Sequence, residues 1–320
     1  MRLLKLLRDQ KVIAQRPERV ATTPSERLVE EYDFYLQRER VLSLATRINY
    51  RPFIQKFLTV RFGKGPIVLS RLRATDIIGF VRYHAGQLNG KRVHLMTTAL
   101  RSFLRFARHR GDITLDLAAC VPAVANWSLS TLPRAISPTH VKQVLKHCDR
   151  QTAVGRRDYA ILLLLARLGL RSGEVAGLNL EDIDWKDGVF SVLGKAGLSQ
   201  LPLPGDVGKA ITAYLKDGRP RLSSSRRLFL RARAPVVGIK SMAVRDVVKR
   251  ALARAGIDSP RKGAHQFRHA LATDMLKRGA SLREIGDPLR HQSPETTAIY
   301  AKVDLISLRA LAMPWPGGAR

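Results

Sequence analysis

The chain has few acidic residues, few cysteines and no long apolar run. Asp and Glu number 26 against 56 Lys and Arg, so the 320-residue chain carries a formal net charge of +30. The two cysteines, Cys120 and Cys148, lack the spacing of metal ligands, and we expect neither a disulfide nor a thiolate metal site. The longest apolar run, Ala160 to Ala166, ends at Arg167 and is too short to cross a bilayer.

The excess of basic residues indicates a polyanionic partner. A strongly positive protein attracts nucleic acid, and binding is favoured by the release of counterions. An anionic membrane surface is the alternative, but membrane-binding clusters are concentrated, whereas the basic residues here are spread along the whole chain. Charges interrupt every apolar stretch of the opening MRLLKLLRDQKVIAQR, so we expect no secretory signal and a cytoplasmic protein.

The first part of the sequence predicts a compact helical unit. Residues 1–23 are basic and end in ATTP, which is typical of an arm. Residues 24–124 contain four stretches with the periodicity of amphipathic helices, the third expected to be capped by Thr75. These stretches are ERLVEEYDFYLQRE, LATRINYRPFIQKFLTVRF, TDIIGFVRYHAGQ and VHLMTTALRSFLRFARHRG. Residues 125–135 are rich in small and turn-forming residues and predict a linker.

Residues 136–320 combine helices with two short β-like runs. GRRDYAILLLLARLGLRSGEVAGL predicts a buried helix that breaks at Gly169 and a short second helix that begins near Ser172. DGVFSVLGKAGLSQLPLP predicts two strands around a Gly-containing turn. Five more helices are predicted in GDVGKAITAYLKDG, KSMAVRDVVKRALARAG, AHQFRHALATDMLKRG, SLREIGDPL and SPETTAIYAKV, the last two capped by Ser281 and Ser293. The predicted fold class is therefore mainly α with a small β-sheet (α+β).

Six polar residues that could bind or attack a phosphodiester follow one another in this second part: Arg171, Lys195, His265, Arg268, His291 and Tyr300. Taken singly each is a weak signal, because arginines at helix ends and lysines in turns are usually solvated. Loop histidines and helix tyrosines are usually structural. The order and spacing of all six together carry the information.

The segments around these residues resemble the signature boxes of the tyrosine recombinase (phage integrase) family. The similar segments are ARLGLRSGEVAGL, GKAG, HQFRHALAT and LRHQSPETTAIYAKV, in the order of the family, and the resemblance covers roughly residues 136–310. The first half resembles the family's helical core-binding domain more loosely, through ALRSFLRFARHRGDI and its position. The resemblance thus implies an all-α core-binding domain, residues 24–124, followed by a catalytic domain, residues 136–320.

The residue types permit strand cleavage, and the resemblance assigns the roles. Arg171 and Arg268 are expected to bind non-bridging phosphate oxygens, because a guanidinium presents a planar fork of donors. Tyr300 is expected to attack phosphorus and form a covalent 3′-phosphotyrosine, with His265 managing its proton. Lys195 is expected to protonate the leaving 5′ oxygen, and His291 to hydrogen-bond a phosphate oxygen. No cofactor and no metal are implied.

Some positions differ from the family pattern or remain open. The family usually has Gly before the histidine of the second box, whereas this chain has Arg290, a cation that could touch DNA or distort the turn. The strand after Lys195 reads LSQ instead of carrying further basic residues, and the spacing to Pro202 is a residue short, which leaves the identity of the catalytic lysine open. Glu174 fits the family pattern for a residue that braces Arg171, or is a solvated acid of the first helical turn.

Three other functions are compatible with parts of the sequence. One alternative is a type IB topoisomerase-like strand-passage enzyme, whose chemistry is nearly the same. Another is a non-catalytic DNA-binding protein on the same fold, although all six positions are filled. The third is a metal-dependent nuclease built on the acidic run EDID, Glu181 to Asp184, which is more simply interpreted as the capped entry to a strand.

The resemblance also implies partners. These are double-stranded DNA with specific recombination sites arranged as inverted repeats, and no membrane. A homotetramer on two DNA sites is implied through the C-terminal docking segment 303–320, where VDLISLRALAM supplies an apolar face. The alternative is that this segment folds back on its own domain. The basic arm and Arg290 favour a mobile-element recombinase (integration, excision or transposition) over cassette capture or chromosome-dimer resolution.

Overall fold

The computed structural model divides the chain into two compact units. Unit 1 spans Met1–Ser128 and unit 2 spans Leu129–Arg320, and each has its own cluster of buried apolar side chains. The residues that the structure describes are 8, 10, 12–13, 23–124, 135–194, 197–221, 223–259, 263–291 and 293–301.

Within residues 23–124, unit 1 contains the four predicted α-helices: α1 (Pro24–Arg38), α2 (Leu44–Phe62), α3 (Ala74–Ala85) and α4 (Gly90–His109). Their apolar faces meet around an aromatic centre. The Tyr32 ring of α1 packs against Phe103 and Phe106 of α4, with ring centroids 5.4 Å apart in both pairs. Such offset and edge-on aromatic pairs stabilise a core beyond the area that they bury.

The prediction that Thr75 caps the third helix is wrong. Helix α3 begins earlier, and the capping residue is Arg73, whose backbone N–H donates to the Asp76 carboxylate at 2.9 Å. Asp76, the third residue of the helix, therefore satisfies the backbone N–H of the capping residue.

Unit 2 begins with a helix that was not predicted, α5 (Pro138–Lys146), which Ser137 caps by accepting from the His140 N–H at 3.1 Å. It is followed by α6 (Ala153–Leu168), the buried helix of the sequence, and α7 (Ser172–Gly177). Gly169 ends α6 with φ 58°, and a Cβ at this position would lie 2.6 Å from Leu289 Cδ2. The break therefore requires glycine, both for its left-handed backbone and for space.

The described part of unit 2 contains a three-stranded antiparallel sheet of order β1-β2-β3. The strands are β1 (Ile183–Asp184), β2 (Val189–Gly194) and β3 (Gly197–Pro202). Val189 of β2 pairs with Pro202 of β3, and Gly194 pairs with Gly197, so the two predicted strands form an antiparallel hairpin. Phe190 and Val192 point to the buried face and join the core of the unit.

The remaining helices of the described chain are α8 (Gly205–Asp217), α9 (Ser241–Arg254), α10 (His265–Lys277), α11 (Leu282–Leu289) and α12 (Pro294–Ala298). Ser281 caps α11 in a capping box with Glu284, and Ser293 caps α12, as predicted. A small apolar cluster holds α10 and α11 against Tyr300 through Ala272, Ile285 and Leu289. These elements confirm the predicted fold class, mainly α with a small sheet.

Several predicted segments lie outside the described residues. They are Lys195, the linker except its last residue, the segment 303–320, and most of the arm 1–23. The helices that the structure does describe include none with the length and apolar content needed to span a bilayer.

Candidate active site

Arg171 lies at the helix break, immediately before α7. Its backbone N–H donates to Glu174 Oε2 at 2.8 Å, and its Nη1 donates to Glu174 Oε1 at 2.9 Å. Although burial alone would raise the pKa of the Glu174 carboxyl, hydrogen bonds from Arg171 and the charge of Arg290 lower it. The Arg171 side chain keeps 32% of its surface exposed, so its guanidinium is braced and still accessible to a ligand.

Arg268 is buried on α10, and its guanidinium joins two helix ends. Nη1 donates to the Gly169 carbonyl at 2.7 Å, and Nη2 donates to the Leu289 carbonyl. Burial, followed by repulsion from Arg171, lowers the pKa of Arg268 to about 10, so the group stays cationic at neutral pH. Because Gly169 precedes Arg171 and Leu289 ends α11, Arg268 brings the first and last signature segments together.

His265 is the first residue of α10, one turn before Arg268. The residue is exposed, but partial burial of its ring and the charges of Arg268 and Arg171 lower its pKa. The imidazole is therefore neutral at neutral pH and can donate from one ring nitrogen and accept at the other.

His291 lies in the connection between α11 and α12. Its Nδ1 is 2.6 Å from Thr297 Oγ1, which fixes the orientation of the ring. Burial, followed by the charges of Arg268 and Arg171, lowers the pKa of His291 to about 4, so this imidazole is also neutral at neutral pH. Its ring lies nearly parallel to the Tyr300 ring, at 8° and with centroids 6.4 Å apart.

Tyr300 follows α12 and is almost completely buried, with 2% of its surface exposed. Its hydroxyl is 2.9 Å from Nδ1 of His269, and the two rings meet edge to face with centroids 5.7 Å apart. Burial raises the pKa of Tyr300, and the positive charge of Arg268 opposes that rise. The phenol is consequently protonated at neutral pH and needs a group to take its proton before it can act as a strong nucleophile.

His269 is a residue of this site that the sequence analysis missed. It comes four residues after His265, so both lie on one face of α10, and that spacing was a usable signal. In the tautomer that carries its proton on Nε2, His269 accepts a hydrogen bond from the Tyr300 hydroxyl at Nδ1. The imidazole hydrogen-bonded to the Tyr300 hydroxyl is therefore His269, whereas the sequence analysis assigned the proton to His265.

Arg290 faces inward. Its Nη2 donates to Glu174 Oε2 at 2.7 Å, and only 8% of its side-chain surface is exposed. Arg290 itself adopts the left-handed conformation, φ 54°, that ends α11. Glu174 thus accepts from two arginines on different elements, Arg171 and Arg290.

The lysine and the acidic run are the other two features that the sequence analysis singled out. Lys195 lies outside the described residues, so its role stays a prediction. In the acidic run, Glu181 pairs with Arg226, and Asp182 and Asp184 accept backbone N–H groups. Among the residues that the structure describes, no group of three or more His, Cys, Asp or Glu side chains could hold a metal ion.

The cluster has the composition of a phosphodiester-binding centre, with guanidiniums, neutral imidazoles and a phenol around one small volume of unit 2. The sequence matches the phage integrase family over residues 134–305 and the phage integrase N-terminal SAM-like domain over residues 29–111. The chain therefore belongs to the phage integrase family, and the resemblance predicted from its signature segments is confirmed.

Curated relatives extend this similarity along the chain. A Sinorhizobium fredii protein named as an integrase/recombinase, y4rA, is 55% identical over 99% of this chain and 78% of its own length. The tyrosine recombinase XerD of Bifidobacterium longum is 31% identical over 87% of this chain and 92% of its own length.

Solved structures share the fold at low identity. The XerH site-specific recombinase in a post-cleavage complex with palindromic difH substrate aligns with a TM-score of 0.71 at 18% identity, over 90% of this chain and 84% of that one. The Tn1549 transposon integrase in complex with transposon right end DNA aligns with a TM-score of 0.66 at 18% identity, over 89% and 98% of the two chains.

Proposed function

We propose that the protein is a site-specific DNA recombinase that cuts and rejoins strands through a covalent 3′-phosphotyrosine. The observation that carries this proposal is the environment of Tyr300. Its hydroxyl is hydrogen-bonded to His269, and its ring lies nearly parallel to the ring of His291. The positive charge of Arg268 opposes the rise in the pKa of Tyr300 that burial causes. A nucleophile, a proton acceptor and phosphate-binding groups thus belong to one cluster, in a chain of the family that performs this chemistry.

Arg171 and Arg268 bind the scissile phosphate in this proposal. A phosphodiester gains negative charge on its non-bridging oxygens as a nucleophile adds, and guanidiniums fixed in advance stabilise that charge. Arg171 is held by Glu174, and Arg268 is held by the carbonyls of Gly169 and Leu289. His265 and His291 are neutral, so each can donate one N–H to a phosphate oxygen without repelling the two arginines.

Tyr300 attacks phosphorus, and His269 accepts the phenol proton at Nδ1. The bond between the tyrosine oxygen and phosphorus forms while the bond from phosphorus to the 5′ oxygen breaks. The 5′ oxygen then takes a proton, for which Lys195 is the proposed donor. Religation reverses each of these steps. The phosphotyrosine ester conserves the energy of the broken strand, so the reaction needs no cofactor, and we propose that it is independent of metal ions.

Double-stranded DNA is the proposed substrate, at recombination sites arranged as inverted repeats. The net charge of +30 supports a phosphate-dominated affinity that weakens steeply with salt. We propose a role in a mobile element, as the basic N-terminal arm suggests. The relative named as an integrase/recombinase and the transposon integrase with the same fold support this assignment. The active assembly is proposed to be a homotetramer on two sites, joined through residues 303–320.

The test is covalent trapping on a nicked suicide substrate that carries a site selected from a random DNA pool. Wild-type protein should form a stable 3′-phosphotyrosine adduct, visible as a slower band on a denaturing gel. Tyr300→Phe should bind the same DNA and form no adduct, because only the nucleophilic oxygen is lost. Tyr159→Phe, which removes a phenol hydroxyl elsewhere in unit 2, is the matched control and should react normally.

The same assay separates the alternatives. An adduct with Tyr300→Phe would identify another nucleophile and refute the proposed site. Relaxation of supercoiled plasmid that lacks the selected site would favour the topoisomerase-like function. Cleavage that stops when EDTA is added would favour a metal-dependent nuclease, since that chemistry requires the ions.

A further inference from the structure

Arg290 occupies a backbone position that favours glycine. It ends α11 in the left-handed region, φ 54°, with its N–H donating to Asp287 and Gly286 carbonyls. A side chain is disfavoured there, because Cβ crowds the following carbonyl oxygen. Contacts of the Arg290 side chain can offset this cost.

The side chain of Arg290 is enclosed by unit 2. Nη2 donates to Glu174 Oε2 at 2.7 Å and Nη1 donates to the Pro288 carbonyl at 3.0 Å. Nε is buried and has no hydrogen-bond partner among the described residues, and 8% of the side-chain surface is exposed. This guanidinium is therefore directed at Glu174 and has little surface left with which to meet DNA.

Glu174 connects Arg290 to Arg171. Its Oε1 accepts from Arg171 Nη1 at 2.9 Å, and its Oε2 accepts from both the Arg171 backbone N–H and Arg290 Nη2. One carboxylate that braced Arg171 alone would cancel much of the charge that Arg171 presents to a phosphate. With Arg290 as a second cation on the same carboxylate, the three groups together keep one net positive charge.

We propose that Arg290 is a positioning residue for strand cleavage, which acts through Glu174. It fixes the connection that carries His291 against the first turn of α7, and it leaves the Arg171 charge available to the scissile phosphate. This inference rests on the proposed strand-cleavage function and deepens it. Arg290 does not bind DNA in this arrangement, so its role differs from both of those that the sequence analysis considered.

The test compares Arg290→Met, Arg290→Lys and Arg290→Gly with wild type in single-turnover cleavage of the suicide substrate at saturating protein. Arg290→Met should slow cleavage tenfold to about a hundredfold, the scale at which small misplacements of catalytic groups act. Arg290→Lys should recover most of the rate, because it restores a cation beside Glu174. Arg290→Gly should be slow as well, although glycine fits the turn, and a wild-type rate for this variant would overturn the proposal.

DNA affinity separates positioning from a direct phosphate contact. The dissociation constant of Arg290→Met and its dependence on salt should match those of Arg283→Met, which removes an exposed charge from the same helix α11. A salt slope lowered by about one relative to that control would mean that Arg290 neutralises a phosphate, and would refute the positioning role.

A double-mutant cycle with Glu174→Gln tests the route through the carboxylate. In the Glu174→Gln background, Arg290→Met should change the cleavage rate by less than threefold, because the shared partner is already lost. An undiminished effect there would refute coupling through Glu174. The same cycle measured by thermal unfolding without DNA should also show coupling, and this readout holds even if wild-type protein forms no covalent adduct and the proposed function fails.

Discussion

The contact between His269 and Tyr300 predicts that a histidine outside the expected signature set controls the rate of strand cleavage. His269→Phe removes the acceptor and keeps an aromatic ring against Tyr300. His269→Asn places an amide oxygen near the position of Nδ1, so it can still accept the hydroxyl hydrogen bond but cannot take the proton. His140→Asn, an exposed histidine of unit 2, is the matched control.

The magnitude follows from the ionisation of the phenol. At its ordinary pKa of about 10, a tyrosine is ionised to roughly one part in a thousand at pH 7, and burial raises the pKa of Tyr300 further. A base that removes the proton during attack can therefore accelerate cleavage by up to about a thousandfold, within the range known for general bases. We expect His269→Phe to lose about a hundredfold to a thousandfold in single-turnover rate, and His269→Asn nearly as much.

The pH dependence provides a second measurement. Without a base, cleavage depends on the phenolate fraction, so the rate of His269→Phe should rise about tenfold per pH unit until the raised pKa of Tyr300 is reached. The wild-type rate should rise less steeply between pH 7 and 9. A His269→Phe variant that cleaves at the wild-type rate or faster would refute the reasoning, because the contact would then merely hold the tyrosine inactive.

Two other predictions concern the arginines and the end of the chain. Arg171→Ala and Arg268→Ala should both reduce cleavage by about a hundredfold or more. Only Arg268→Ala should also lower the free energy of unfolding by about 2–5 kcal/mol, because it leaves two backbone carbonyls without their donor. Equal losses of stability in denaturant unfolding would contradict this distinction. Ending the chain after Lys302 should leave binding to one site intact but abolish strand exchange, measured by native mass of the complex on paired sites and by recombination of the sites. A truncated protein that still assembles four protomers would show that the segment packs on its own domain.

Local signals in the sequence predicted most of the helices. Gly169, the capping box of Ser281 and the Ser293–Pro294 start were each identifiable without the fold, because these features depend on neighbours within one turn. The helix α5 was missed although its start, Ser137–Pro138, is a local signal of the same kind. It is short, and the side chain that secures it is Val144, which is fully buried in the core of unit 2. Tertiary packing stabilises this helix more than its own propensity does.

The candidate site was predictable in its residue types but not in its contacts. Glu174 and Arg290 are 116 positions apart, and His269 and Tyr300 are 31 apart, so no periodicity relates either pair. In the sequence, Arg290 was an unexplained departure from the family pattern. In the fold, its buried side chain pairs with Glu174. For His269, the helical spacing from His265 was available, but only the fold shows which of the two imidazoles meets the tyrosine.

Arg268 explains why signature segments far apart along the chain meet at one place. A buried guanidinium needs acceptors for its N–H groups, and the last carbonyls of helices are the ones that helices leave without partners. Arg268 takes one such carbonyl at Gly169 and one at Leu289, 99 and 21 positions away. Arg171 follows two residues after Gly169, and His291 follows two residues after Leu289. The group proposed to bind phosphate thus also sets the positions of its neighbours. Arg268→Lys would keep the positive charge but not the five donors, so we expect it to lose the contacts that hold these two helix ends together.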